Sequence, residues 1–180
     1  MMKKMIAVLF ILLTLCIVFP AAAVEISELD FEAEVVVTHT TNVNIRKRAD
    51  PKSDRLAWAK PYDSFVYQGE KNGWYRITYE GRTGFISNGL AKAYVTENNN
   101  TQFVLVTHWS NPYVRSWKSK SADKIGLAAS GSVLPYLGES DGYYCVYYNG
   151  RKAYISSSLC ELIDDAVGMP LAAHSSSASD

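Results

Sequence analysis

One pattern of about sixty residues occurs twice in this 180-residue chain, at a constant offset of 69 and without a gap. Thr38, His39, Asn42, Arg46 and Asp54 recur as Thr107, His108, Asn111, Arg115 and Asp123. Tyr67, Gly69, Glu70, Gly73, Tyr75, Tyr79, Gly81 and Arg82 recur as Tyr136, Gly138, Glu139, Gly142, Tyr144, Tyr148, Gly150 and Arg151. Ile86, Ser87 and Leu90 close the series as Ile155, Ser156 and Leu159. Turn glycines fall on turn glycines, so the repeat is structural, and it leaves room for two copies of one small domain and little else. Such economy points to binding rather than to catalysis.

The remaining chain lies at the ends and between the copies. Lys3 and Lys4 precede an apolar run, Met5 to Phe19, that ends in Pro20-Ala21-Ala22-Ala23. This is the pattern of a secretory signal peptide over residues 1–23, shorter in its apolar part than the roughly 20 residues a spanning helix needs. An uncleaved anchor is the alternative, and acylation at Cys16 is disfavoured by the large Leu15 before it. No membrane span is then expected after signal removal. Residues 24–34 form an acidic lead-in whose alternation runs into the first strand. Domains are expected at 35–95 and 104–163, a polar linker at 96–103, and a disordered serine-rich tail at 164–180.

Inside each copy the signals are short strands and tight turns. In Trp74-Tyr75-Arg76-Ile77-Thr78-Tyr79, period two puts Tyr75, Ile77 and Tyr79 on one face and Trp74, Arg76 and Thr78 on the other. Asn72-Gly73, Glu80-Gly81, Asp141-Gly142 and Asn149-Gly150 supply hairpin turns, whose positive φ glycine accepts. No window shows a helical period. The expected fold is all-β, with five or six strands per copy and each sheet curled to remove its edges.

Those residues resemble a known family, the bacterial Src-homology-3-like (SH3b) domain. Val43-Asn44-Ile45-Arg46, Gly73-Trp74-Tyr75-Arg76-Ile77 and Gly81-Arg82-Thr83-Gly84-Phe85-Ile86-Ser87 follow its order. The second copy offers Val114-Arg115, Ile125-Gly126, Gly142-Tyr143-Tyr144-Cys145-Val146 and Gly150-Arg151-Lys152-Ala153-Tyr154-Ile155-Ser156. The resemblance implies two tandem small β-barrels that bind peptides, in secreted proteins commonly the peptide or bridge portion of peptidoglycan. It departs from the family at four places. Tyr62 replaces a loop glycine that the second copy keeps as Gly131, and Ala153 replaces the hairpin glycine. Tyr113 stands for Asn44 and Tyr143 for Trp74. The second copy is therefore expected to keep the fold while its ligand face drifts.

Charge excludes some functions. Lysine plus arginine equal aspartate plus glutamate at 18 each, and loss of Lys3 and Lys4 leaves 16 against 18, too little cation for nucleic-acid binding. Catalysis by cysteine needs an activating histidine. His39 and His108 are repeat-equivalent scaffold, expected to bond a neighbouring strand's backbone, and His174 lies in the tail. No ligand spacing for a metal is present, and no cofactor is expected. Cys145 and Cys160, outside the shared scaffold, suit either a disulfide, worth roughly 3 kcal/mol, or two independent thiols.

The ligand residues expected from aromatic content and the resemblance are Trp74, Asn44, Trp58 and Tyr62 in the first copy, with Tyr94 nearby, and Tyr113, Trp117 and Tyr143 in the second, with Trp109. Rings a small barrel cannot bury mark a partner surface, the alternative being core or inter-domain packing. Arg48 is either a carboxylate clamp or a balance to Asp50 and Asp54, whereas Arg46, repeated as Arg115, reads as scaffold pairing with an acid. The sum is a secreted, non-catalytic binder of cell-wall peptide, in the medium or held at the wall. The rivals are an interaction module for a secreted or cell-surface protein, such as a subunit or regulator of a secreted enzyme, and an accessory chain to a hydrolase.

Overall fold

The computed structural model describes residues 29–174. The expected signal peptide, the start of the acidic lead-in and the serine run from Ser175 lie outside the described residues. The first copy contains β1 (Phe31–Val37), β2 (Val43–Arg46), β3 (Arg55–Ala59), β4 (Ser64–Lys71), β5 (Trp74–Tyr79), β6 (Arg82–Ser87) and β7 (Ala91–Asn98). The second contains β8 (Phe103–Val106), β9 (Tyr113–Arg115), β10 (Lys124–Leu127), β11 (Val133–Ser140), β12 (Tyr143–Tyr148), β13 (Arg151–Ser156), a 3-10 turn at Ser157–Leu159 and β14 (Cys160–Ile163). Strand order is β3-β2-β6-β5-β4-β1-β7 in one sheet and β10-β9-β13-β12-β11-β8-β14 in the other, the same topology twice. The chain is two tandem SH3-like β-domains. Each has seven strands rather than five or six, and in the first copy the lead-in residues from Phe31 join β1 while β7 runs on to Asn98.

Turn chemistry sets the registers. Asn72, Glu80, Asp141 and Asn149 all have positive φ, as do Gly73, Gly81, Gly142 and Gly150 after them. Two consecutive left-handed residues match the twist of the strands they join, so Trp74↔Ser87 and Tyr79↔Arg82 pair in β5–β6, and Tyr143↔Ser156 and Tyr148↔Arg151 in β12–β13. The alternation read from β5 holds, with Tyr75 and Ile77 buried and Thr78 exposed.

One substitution between the copies redirects a side chain. Ala57 of the first copy corresponds to Gly126 of the second, and a methyl at Gly126 would overlap the Tyr148 hydroxyl and lie 2.9 Å from its ring carbons. Without that methyl Tyr148 is fully buried, and its hydroxyl donates to the carbonyls of Leu127 (3.3 Å) and Ala173 (3.2 Å). Its counterpart Tyr79 is half-buried and donates instead to Glu80 at 3.2 Å.

Residues 164–174, expected to be disordered, form an ordered strap between the two domains. Gly168 N–H donates to Val95 carbonyl (2.8 Å), Val95 N–H to Met169 (3.0 Å) and Leu171 N–H to Ala93 (2.9 Å). On the other side Val133 N–H donates to Pro170 and Ala172 N–H to Val133, both at 2.9 Å. Ala166 and Leu171 are buried in a core that also holds Val95, Phe103 and Val133, and Phe31 meets Phe103 edge to face at 5.2 Å. The strap is ordered because its backbone finds partners on both edges. Between the domains the linker shrinks to residues 99–102.

Candidate functional site

The repeated polar residues form the scaffold under the site. Arg46 Nη1 donates to the Ser53 carbonyl at 2.6 Å, and Arg115 Nη1 to the equivalent Ala122 carbonyl at 2.8 Å. Each arginine therefore ties down a loop carbonyl rather than an acid. His39 Nδ1 bonds the Thr41 hydroxyl (3.0 Å) and His108 Nδ1 the Ser110 hydroxyl (2.8 Å). The histidines cap their own turns, while their backbone N–H groups reach Leu90 and Leu159. This is scaffold, achieved within the turn and not across to a neighbouring strand.

Upon that scaffold the second copy brings two expected residues together. Tyr113 of β9 and Tyr143 of β12 line one cavity of about 460 Å³ with Ser110, Arg115, Lys120 and Ser156. Tyr113 is flanked by cations, with Lys124 Nζ 3.9 Å and the Arg115 guanidinium 5.6 Å from its ring centroid. No aspartate or glutamate lines the cavity. The face whose residues depart from the family pattern is thus a concave, cationic and aromatic surface. Trp117 stands exposed nearby, its ring edge to face with Tyr154 at 5.5 Å. Lys118, beside it, pairs with Asp141 and holds that exposed carboxyl below its ordinary range.

In the first copy the expected residues are spread out. Asn44 on β2 is the cross-strand partner of Trp58 on β3, which is exposed, with the Arg55 guanidinium 4.1 Å from its ring. Trp74 is half-buried on β5 opposite Ser87. Tyr62 is 84% exposed and left-handed at φ 69, where the second copy has Gly131 at φ 77. Arg48 is exposed, and its own N–H is fixed by the Ser53 hydroxyl at 3.0 Å. Tyr94 belongs to β7, bridged to Pro170 of the strap, and so faces inter-domain structure.

Several residues were not anticipated. Arg115 and Ser156, both repeated between the copies, read as scaffold in the sequence yet line the cavity as well; Lys120 and Ser110 gave no signal beyond being polar. Trp109 is 86% exposed and stacks on His108 at 5.5 Å. Glu70, 6% exposed, has no ion-pair partner among the described residues. Its Oε1 accepts from Asn88 Nδ2 and from the His174 N–H, each at 2.8 Å. Burial pushes its pKa up to about 7 against those two donors. His174 is therefore not a tail residue but the end of the strap, its ring pKa lowered by burial and by Arg151.

The disulfide considered for Cys145 and Cys160 is not formed. Both thiols are free, Cys145 buried on β12 and Cys160 half-buried on β14, with β11 and β8 between their strands. Burial raises both pKa values, that of Cys160 to about 12, so neither is a thiolate near neutrality. Among the described residues no group of three or more His, Cys, Asp or Glu side chains could hold a metal ion, and no helix is long and apolar enough to cross a membrane.

A family model described as bacterial SH3 domain matches residues 41–92 and 110–160, together more than half of the chain. No curated protein matches. Among solved structures, NlpC2 and NlpC1 from Trichomonas vaginalis are similar over 73% and 74% of this chain, each at 20% identity and a TM-score of 0.31. The chain spans about half the length of either, 48% and 46%.

Proposed function

Because the chain belongs to the bacterial SH3 domain family, in two tandem copies, we propose that it is an exported, non-catalytic binder of cell-wall peptide, acting in the medium or at the wall. The observation that carries this reading is the cavity of the second copy, where Tyr113 and Tyr143, both expected as ligand residues, lie together with Arg115 and Lys120. Aromatic faces cover the apolar and glycyl parts of an extended peptide, and unopposed cations suit its carboxylates. Its lining of hydroxyls, aromatics and cations, with the amide of Asn111 and the apolar Pro112 and Leu159, suits the holding of a peptide.

Co-sedimentation of the chain with purified insoluble peptidoglycan tests the proposal. Binding is expected, and Tyr113→Ala should weaken it by about 2 kcal/mol or more, roughly 30-fold, as for a central aromatic contact. Trp74→Ala should change it less. Loss with Trp74→Ala but not Tyr113→Ala would move the site to the first copy. Failure to pellet at any salt concentration would refute wall binding and leave a secreted protein as the partner.

A further inference from the structure

The cavity beside Tyr113 has a neighbour. Asn111, which borders it, also lines a second cavity of about 480 Å³ that opens between the domains. The walls of the second come from three sources: Asn88 and Lys92 of the first domain, Asn111 and Ser130 of the second, and Ala172 and His174 of the strap. Asn111 is the partition, and its Oδ1 accepts the Ser130 N–H at 3.1 Å.

The charge of the two cavities is one-sided. The chain holds 18 aspartates and glutamates, yet none lines either cavity. Lys92 lines one and Arg115 and Lys120 the other. Lys92 and Lys120 make no ion pair among the described residues, whereas Arg115 is engaged with the Ala122 carbonyl. At the back of the inter-domain cavity the buried His174 Nδ1 has no hydrogen-bond partner. Glu70, behind the strap, is held by His174 and Asn88 and shielded from the cavity. A free cation in each of two adjoining acid-free cavities, set among apolar walls and a few polar side chains, complements an anionic, extended ligand.

We propose that the two cavities are one trough across both domains, and that it holds a single extended peptide with carboxylates, one received by Lys120 beside Tyr113 and Tyr143 and one by Lys92 in the cleft. This deepens the wall-peptide reading and rests on it for the natural source of the ligand. The two copies then make one site and not two equivalent ones. The strap, bonded to both domains, holds the trough in shape before the ligand arrives, which lowers the ordering cost of binding.

The test is an amide NMR titration of the full chain with the hexapeptide Ala-Glu-Ala-Ala-Glu-Ala, whose reach of about 20 Å spans both cavities, and with Ala-Gln-Ala-Ala-Gln-Ala-amide as the carboxylate-free control. Expected are shifts at Gly89, Lys92 and Ser130 together with Tyr113 and Lys120, all saturating on one curve, and much weaker shifts with the control. Lys92→Glu should weaken binding at least about tenfold, the effect of removing one charge-assisted contact. Ser130→Trp, at an exposed position, should fill the cleft and do the same. Silence at Gly89 and Ser130, separate saturation of the two sets, or unchanged affinity in Lys92→Glu would overturn the trough. The parent reading is judged separately: peptidoglycan pelleting with a silent cleft leaves wall binding standing, and a responsive cleft without pelleting leaves the trough standing with another peptide source.

Discussion

Replacing Glu70 with glutamine should stabilise the protein at alkaline pH and do little in acid. Glu70 is 6% exposed, and burial lifts its pKa from the ordinary 4.5 to about 7. A rise of that size corresponds to roughly 3 kcal/mol of preference for the protonated form in the folded state. The folded pKa lies above the unfolded one, so the folded state binds the extra proton between pH 4.5 and 7. The corresponding stability is fully present below about pH 4.5 and is lost as pH rises through 7. Glutamine keeps a carbonyl to accept from Asn88 and from the His174 N–H, as Oε1 does, but cannot ionise. Urea unfolding of Glu70→Gln and the unsubstituted chain at pH 4.5, 6, 7 and 8 should show equal stability at the lowest pH and a gap widening to about 3 kcal/mol at the highest. A loss of stability at pH 7 and 8 would refute the reasoning, because it would mean that the two donors stabilise the anion more than burial penalises it.

Two further predictions follow from backbone and packing geometry. Tyr62→Gly should raise stability by about 1 kcal/mol, since the left-handed φ of 69 penalises any side chain and the exposed ring returns little; an unchanged unfolding midpoint would contradict this. Gly126→Ala should lower stability by about 1–3 kcal/mol, because the methyl displaces Tyr148 from its seat under the strap, and native-state hydrogen exchange should show faster opening at Ala172 than elsewhere in the second domain.

The double all-β architecture was legible because its information is local. Period-two alternation and four dipeptides ending in glycine state where strands run and reverse, and the 69-residue repeat states it twice. The strap was illegible for a physical reason. Asp164-Asp165, Gly168 and Pro170 have the composition of a solvated tail, and Ala166 and Leu171 are too few anchors to make a period. Its order comes from backbone bonds to β7 and β11, and backbone bonds leave no mark on side-chain identity. The site lay between these extremes. Tyr113 and Tyr143 were visible as aromatic departures from the family pattern. Lys92 and Ser130 were not, since only the docking of one domain on the other turns surface polar residues into the walls of a cleft, and Lys120 was not, since it lies in a loop outside the repeated pattern. Trp74, expected as a ligand residue of the first copy, is half-buried and takes no part in the cavity of the second.

The position of the strap in the chain governs how the molecule can be assembled. Each domain closes from one contiguous stretch of sequence, so it can form once its own strands are made, although in the first domain β1 must wait for β7 to complete its pairing. The docking of the domains is completed by residues 164–174, which follow both. During synthesis the first domain can therefore fold while its β7 edge still lacks Gly168 and Leu171 and is open to solvent or to another chain. Two molecules at that stage could each lend the strap to the other's β7 edge, a domain-swapped dimer that repeats every bond of the monomer. The step that completes the trough is thus also the step at which the chain is exposed to exchange with its neighbours.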